Sequence, residues 1–156
     1  MEKYLRLLNP KTTNFDSIGG GSHGAMTAQD VCVALSYAKL TQLQENLIRV
    51  KCLGANTIEN VDLLSSRLVA KYIACLESRN TPVEYHESVV RAALIEFCLV
   101  PASYKPSVRN RALFVGVHFL VVHRYLDRVI TDIFEELEGE FFIAVDKISF
   151  QLSKSK

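Results

Sequence analysis

Helix start signals recur along this chain, and no stretch of it shows the sustained alternation of apolar and polar residues that is typical of a β-strand. Three threonines stand where an N-cap is expected, each followed within three residues by an acid or an amide: Thr27, Thr41 and Thr81. Apolar residues then recur every three or four positions, as on the buried stripe of a helix. The sequence therefore predicts an all-α fold, a compact single-domain bundle of five to seven helices.

The first four helices can be placed from these signals. We expect helices from Thr27 to Ala38 and from Thr41 to Leu53, the second of which is closed by Gly54. A longer helix should begin at Thr57 and carry a buried stripe as far as Cys75. The fourth should begin at Thr81, with Pro82 in its first turn and Val90, Leu94 and Phe97 inward, and stop before Pro101.

In the last third of the chain, Pro106 and Ser107 restart the helical pattern. The expected inward residues of this stretch are Leu113, Leu120, Tyr125, Val129 and Ile133. Gly139 is expected to divide it from a last helix, because glycine weakens helix interiors. That last helix would turn Phe142, Val145 and Ile148 inward.

Residues 1–26 differ in composition from the rest. A short helix over residues 2–8 is followed from Pro10 to Met26 by a segment rich in Gly, Ser, Thr and Asn. We interpret this segment as a flexible Gly-rich loop, and divide the chain into residues 1–26 and an all-helical domain over 27–156. A phosphate-binding loop and a cloning scar are the alternatives, although the spacing of known phosphate-binding motifs is missing.

Composition narrows the classes of function. The 156 residues carry 18 Lys and Arg against 17 Asp and Glu, so any affinity for nucleic acid must come from a local patch. The four cysteines stand singly in apolar stretches, which favours buried thiols, no structural metal and no cofactor. With no nucleophile or metalloprotease motif, no catalytic residue is assigned and an enzyme is not expected. The absence of a secretory signal and of a membrane-length apolar run predicts a cytoplasmic protein without membrane contact.

The first helix pair has the pattern of a helix-turn-helix. Gln42, Asn46 and Arg49 would form one polar stripe on the second helix, and such side chains can pair with adenine or guanine edges. Lys39 and Lys51 could then contact the flanking phosphates. The alternative is an ordinary αα-hairpin with a solvated polar stripe, because the turn lacks the usual glycine.

Charge is uneven in the last third of the chain. A basic group precedes an acidic one: Lys105, Arg109, Arg111, Arg124 and Arg128, then Asp132, Glu135, Glu136, Glu138, Glu140 and Asp146. These can be two solvated helix faces. They can also be a basic surface for the phosphate backbone beside an acidic surface for a basic protein.

Short segments near the N-terminus resemble the opening of the lambda-type Q antitermination proteins of phages. The matching segments are Tyr4-Leu5, Asn9-Pro10-Lys11-Thr12, Asp16-Ser17 and Thr27-Ala28-Gln29-Asp30-Val31 with Ala34-Leu35. The resemblance covers about the first quarter of the chain. It implies a regulator of late transcription that binds DNA near a late promoter, loads onto paused RNA polymerase and makes it pass terminators. The zinc-binding insertion of that family, with two C-x-x-C pairs, is missing here.

The sequence thus predicts a phage or prophage transcription regulator, a DNA-binding antitermination factor with double-stranded DNA and host RNA polymerase as partners, in the bacterial cytoplasm. The candidate DNA-binding residues are Lys39, Gln42, Asn46, Arg49, Lys51, Arg109, Arg111, Arg124 and Arg128. The alternative is a helical protein–protein adaptor without DNA affinity, whose acidic residues dock a basic partner. The oligomeric state is left open.

Overall fold

The structure is a computed structural model that describes residues 5–9 and 27–154. Six helices of eight residues or more occur in this part of the chain, and no strand does. Their bounds are α1 Ala28–Tyr37, α2 Gln42–Cys52, α3 Ile58–Ser78, α4 His86–Cys98, α5 Val108–Val115 and α6 Asp127–Lys154. The prediction of an all-α fold is confirmed, and the number of helices lies within the predicted range.

Shorter helical segments fill some of the connections. Arg6–Leu8 and Val83–Tyr85 are 3₁₀ turns, Phe119–Val121 is a single α-helical turn, and Val122–Leu126 is π-helical and leads into α6. The predicted flexible loop from Pro10 to Met26 lies outside the described residues.

The chain divides into two compact units. The first unit comprises Met1–Ala55 and Glu140–Lys156, and the second comprises Asn56–Gly139. The first unit therefore contains α1, α2 and the later part of α6, and the second contains α3, α4, α5 and the beginning of α6. The division after residue 26 that the sequence suggests stays a prediction.

Both helix starts predicted in the first unit are confirmed as capping boxes. The Thr27 hydroxyl accepts from the Asp30 amide at 3.2 Å, and the Asp30 carboxylate accepts from the Thr27 amide at 2.8 Å. Thr41 and Gln44 make the same reciprocal pair, with both distances at 3.2 Å. Each box satisfies two backbone donors that the first turn of a helix leaves open.

The end of α2 depends on a glycine, as the sequence predicts. Gly54 has a φ of +76°, a conformation that strains other residues. A Cβ at this position would also lie 2.8 Å from the Asn9 side-chain oxygen. Gly54 thus allows the chain to turn and the Asn9 side chain to approach the backbone.

In the second unit α3 and α4 pack against each other. The buried stripe of α3 is confirmed at Val61, Leu64, Leu68 and Tyr72. The sequence predicts that only one face of α4 is buried. In the structure every residue from position 92 to position 98 is buried, so this part of the helix is covered on all its faces. A helix covered on all sides must find a partner for any polar side chain that it carries.

The predicted cap at Thr81 is wrong. Pro82 has a ψ of 140°, so the chain is still extended where the first helical residue was expected. A 3₁₀ turn follows, and α4 begins only at His86. Within the described part of the chain, the buried Thr81 hydroxyl has no hydrogen-bond partner.

The predicted helix break at Gly139 is also wrong, because α6 is continuous through this residue. The break lies at Gly116, whose φ of +82° ends α5, and at His118, whose ring accepts from the Leu120 amide at 3.3 Å and caps the next turn. The helical register is therefore not continuous from α5 to α6. For this reason the predicted inward positions Leu113, Leu120 and Tyr125 are exposed, whereas Val129 and Ile133 are buried as expected.

Within α6 the buried residues recur every three or four positions. They are Val129, Ile130, Ile133, Leu137, Phe141, Ala144, Ile148 and Leu152. This stripe takes Phe141 inward and leaves its neighbour Phe142 exposed, which corrects the prediction for Phe142. The burial predicted for the cysteines holds for Cys52 and Cys98, whereas Cys32 is exposed and Cys75 is intermediate.

The two glycines of this region allow a matched test of the helix break. A Cβ at Gly116 or at Gly139 would meet no atom within 4 Å, so the two sites differ in backbone conformation and not in space. We expect Gly139→Ala to raise the free energy of unfolding by about 0.5–1 kcal/mol, because alanine favours a helix interior. Gly116→Ala should lower it by about 1 kcal/mol, because the left-handed conformation strains alanine. Urea unfolding measures both, and a loss of stability in Gly139→Ala would contradict a continuous α6.

Candidate functional site

The helix pair predicted over residues 27–53 is present in the first unit as α1 and α2. Residues 38–41 connect the two helices. Lys39 in this connection has a φ of +48°, so an exposed lysine takes the left-handed conformation that glycine usually supplies in such turns. The missing glycine therefore does not prevent the tight connection.

The polar stripe of α2 faces away from its buried side. Leu47, Ile48 and Val50 are buried, whereas Gln42 and Arg49 are exposed and Asn46 is half-buried. The Gln42 amide donates to the Asn46 side-chain oxygen at 3.3 Å, so these two side chains form one polar surface. Arg49 forms an ion pair with Glu45 one turn earlier. Both partners of this pair are partly exposed, and such pairs are weak.

Gln44 holds α2 against the later part of α6. Its side-chain oxygen accepts from the Lys147 ammonium at 2.9 Å, and its amide nitrogen donates to the Glu140 carboxylate at 2.8 Å. The Lys51 ammonium lies 4.8 Å from the centre of the Phe141 ring, and Lys51 is half-buried. Of the two lysines predicted to contact phosphate, Lys39 is exposed, whereas the Lys51 side chain packs against α6 at Phe141.

The predicted second basic surface is reduced to three arginines. Arg109, Arg124 and Arg128 are exposed, and the Arg109 guanidinium lies 6.0 Å from the centre of the Phe119 ring. The prediction for Arg111 is wrong, because only 11% of its side chain is exposed. Its guanidinium is bound within the second unit and cannot contact a phosphate.

Arg111 joins a buried polar cluster that consists of Glu96, Tyr104, Arg111, Asp127 and Thr131. Two guanidinium nitrogens donate to the Glu96 carboxylate at 2.6 and 2.9 Å. The third donates to the Asp127 carboxylate at 2.7 Å and to the Thr131 hydroxyl at 2.9 Å. The Tyr104 hydroxyl donates to Glu96 at 2.8 Å, so both oxygens of this buried carboxylate are satisfied.

Ionisation in this cluster follows from its geometry. Burial opposes the charge on Glu96, but hydrogen bonds from Arg111 and Tyr104 outweigh it and hold the pKa of Glu96 below its usual value. Burial, together with the hydrogen bond to Glu96, raises the pKa of Tyr104. The hydrogen bonds to Glu96 outweigh burial and raise the pKa of Arg111. Arg111 and Tyr104 thus hold the buried Glu96 in its charged form.

Two of the six acidic residues predicted to form an acidic surface on α6 are paired with cations within their own unit. Glu136 forms an ion pair with Lys71, and Asp132 forms one with Arg79 at 2.6 Å. Glu140 accepts from Gln44, as described above. Much of the predicted acidic surface is therefore already neutralised or hydrogen-bonded.

Sequence reasoning missed the buried polar residues of α4. Glu96 is the one carboxylate in the apolar run from Ala92 to Val100. A single carboxylate within an apolar run is the sequence feature that could have indicated a buried, paired acid. His86 is also buried, and its ring nitrogen donates to the Thr81 carbonyl at 2.9 Å. Among residues 5–9 and 27–154, no group of three or more His, Cys, Asp or Glu side chains could hold a metal ion.

Comparisons with known proteins add nothing to these observations. No family model, no curated protein and no solved structure matches the chain. In the described part of the chain, no helix has both the length and the apolar character needed to cross a membrane.

The buried ion pair can be tested against an exposed arginine of the same helix. We expect Arg111→Met to lower the free energy of unfolding by about 3–5 kcal/mol, because it leaves Glu96 charged and uncompensated. Adding Glu96→Gln should recover about half of this loss or more, since the neutral amide oxygen can still accept from Tyr104. Arg109→Met should change stability by less than about 0.5 kcal/mol. Denaturant unfolding of the four proteins gives the comparison, and an Arg111→Met variant as stable as wild type would refute the assignment.

The lowered pKa of Glu96 also sets a direction for pH dependence. A carboxylate whose pKa is lower in the folded state stabilises the fold above its unfolded pKa, and this contribution is lost as the pH falls through the folded pKa. We therefore expect stability to fall more steeply in wild type than in Glu96→Gln between neutral pH and about pH 3. Urea midpoints at several pH values measure the difference. Parallel curves for the two proteins would exclude Glu96 as a source of acid sensitivity.

Proposed function

We propose that the chain is a DNA-binding transcription regulator that reads duplex DNA with α2. The observation that carries this proposal is the polar stripe of exposed Gln42, half-buried Asn46 and exposed Arg49 on the second helix of a tightly connected pair. Amide and guanidinium groups on one helical face suit base edges in the major groove. The N-terminal resemblance to lambda-type Q antitermination proteins extends the proposal to an action on host RNA polymerase.

The charges around this stripe agree with the proposal. Lys39 lies exposed in the turn that precedes α2, where it can meet a phosphate beside the contacted bases. Arg49 would have to leave Glu45, and the loss of a partly exposed ion pair costs at most about 1 kcal/mol. The polar stripe is thus available to DNA at little energetic cost. In the second unit, Arg109, Arg124 and Arg128 are free to add contacts that do not depend on sequence.

A helical adaptor without DNA affinity is the second candidate. One observation favours it, since Phe142, Ile143 and Phe150 on α6 are exposed apolar residues of a kind found in protein interfaces. The charge pattern counts against it, because Asp132 and Glu136 are already paired within their own unit. An acidic surface for a basic partner is therefore weaker than the sequence alone suggests.

Selection from a pool of random duplexes, followed by affinity measurements on the recovered sequence, separates the two candidates. Affinity should fall steeply between about 50 and 200 mM salt, because phosphate contacts release counterions. Asn46→Ala and Arg49→Ala should each cost about 1–3 kcal/mol on the selected sequence and relax the sequence preference. Arg124→Ala should weaken binding to all sequences and lower the salt slope by about one.

Arg67→Ala is the matched control for the arginine variants. Arg67 is exposed on α3 and belongs to neither proposed contact surface, so its removal should leave affinity and salt slope unchanged. Selection of no sequence, together with binding that does not depend on salt, would reject DNA binding and leave the adaptor. Wild-type affinity in a folded Arg49→Ala variant would reject α2 as the reading helix.

A further inference from the structure

The second unit contains a cavity of about 410 Å³ between the turn that precedes α4 and the helical segment that precedes α6. Pro82, Val121 and Leu126 give it apolar walls, and the rings of Tyr85 and Tyr125 add aromatic ones. Small-molecule sites in proteins are mostly apolar cavities of about 300–1,000 Å³. The volume of this cavity and its mostly apolar lining lie within that range.

One wall of the cavity has an unusual backbone. Residues Val122–Leu126 are π-helical, and the Asp127 amide donates to the Val122 carbonyl five residues earlier. Short π-helical segments weaken the hydrogen bonding of a helix and are frequent at functional sites. Tyr125 on this segment is mostly exposed. Tyrosine rings usually stabilise a core or an interface through the apolar surface that they bury. A ligand in the cavity would cover this ring.

The opposite wall is held in place before any ligand arrives. The Thr81 amide donates to the Leu76 carbonyl at 3.0 Å, and His86 donates to the Thr81 carbonyl at 2.9 Å. Asn80, which also lines the cavity, has a φ of +50°. Strained backbone and an unsatisfied buried hydroxyl, here that of Thr81, are features that functional sites often retain at a cost in stability.

The charges of the lining restrict the ligand. No carboxylate lines the cavity, so nothing there would neutralise a cationic ligand. The one cation in the lining, Arg79, is engaged by Asp132, whose carboxylate accepts at 2.9 Å from Nε and lies 2.6 Å from Nη2. This pairing leaves the site close to neutral. An uncharged ring that can pack against Tyr85 and Tyr125 satisfies both conditions.

We infer that this cavity binds a small, planar, uncharged ring compound. This binding does not involve the proposed reading helix α2, since every lining residue belongs to the second unit. Indole is a suitable probe, because it is a neutral planar ring with a single hydrogen-bond donor. Benzamidine is its cationic counterpart, and the lining offers it no carboxylate.

The test is the binding of each probe to the full chain, measured by saturation-transfer NMR and by titration. Indole should bind at millimolar concentration or below, and benzamidine should bind several-fold more weakly. Tyr125→Ala should weaken indole binding by about tenfold, because one of the two aromatic walls is lost. Val121→Phe, which narrows the cavity at a partly exposed position, should abolish it.

Tyr37→Ala is the matched control, because Tyr37 and Tyr125 are both 67% exposed and Tyr37 lies on α1 in the other unit. It should bind indole as wild type does. The inference is overturned if indole does not bind at millimolar concentration, or if Tyr37→Ala and Tyr125→Ala weaken binding equally. Thermal unfolding verifies that each variant is folded, and Val121→Phe provides an independent reading if Tyr125→Ala is not.

Discussion

The pairing of Arg111 with Glu96 is the interaction on which the second unit depends. Helix α4 is covered on all sides where it carries Glu96, so this carboxylate is almost entirely shielded from water and needs protein partners. Arg111 comes from α5 to pair with it, and the same guanidinium binds Asp127 and Thr131 on α6. One side chain thus fixes three helices against one another. A bidentate ion pair adds geometric specificity to the apolar packing around it.

The features that could be predicted from the sequence are local ones. The N-cap at Thr27 and the capping box at Thr41 were predicted, because all their donors and acceptors lie within four consecutive residues. The cap at Thr81 failed because the rule assumes a helical Pro82, whereas this proline is extended, with a ψ of 140°. Gly116 and Gly139 are alike in sequence terms, yet only the first adopts a left-handed conformation. Tertiary structure determines the backbone conformation of such residues, and a local sequence pattern carries no information about tertiary structure.

The candidate sites divide in the same way. The stripe of Gln42, Asn46 and Arg49 follows from helical periodicity, so its place on the polar side of α2 could be predicted. Arg111 could not be separated from Arg109 by any local rule, because its partner Glu96 lies fifteen residues earlier on another helix. The cavity beside Tyr125 gives no sequence signal, since a continuous helix was expected there and a π-helical segment formed instead.

The discontinuity of the first unit has a consequence for the order in which the protein folds on the ribosome. Residues 56–139 form an uninterrupted segment, so the second unit has all its parts as soon as residue 139 has left the exit tunnel. Helices α1 and α2 are made much earlier, yet Gln44 must wait for Glu140 and Lys147. During that interval Gln44 and Lys51 on α2 lack the α6 side chains that they contact in the folded protein. Synthesis that stops before α6 is complete would leave the proposed DNA-reading helix without its support.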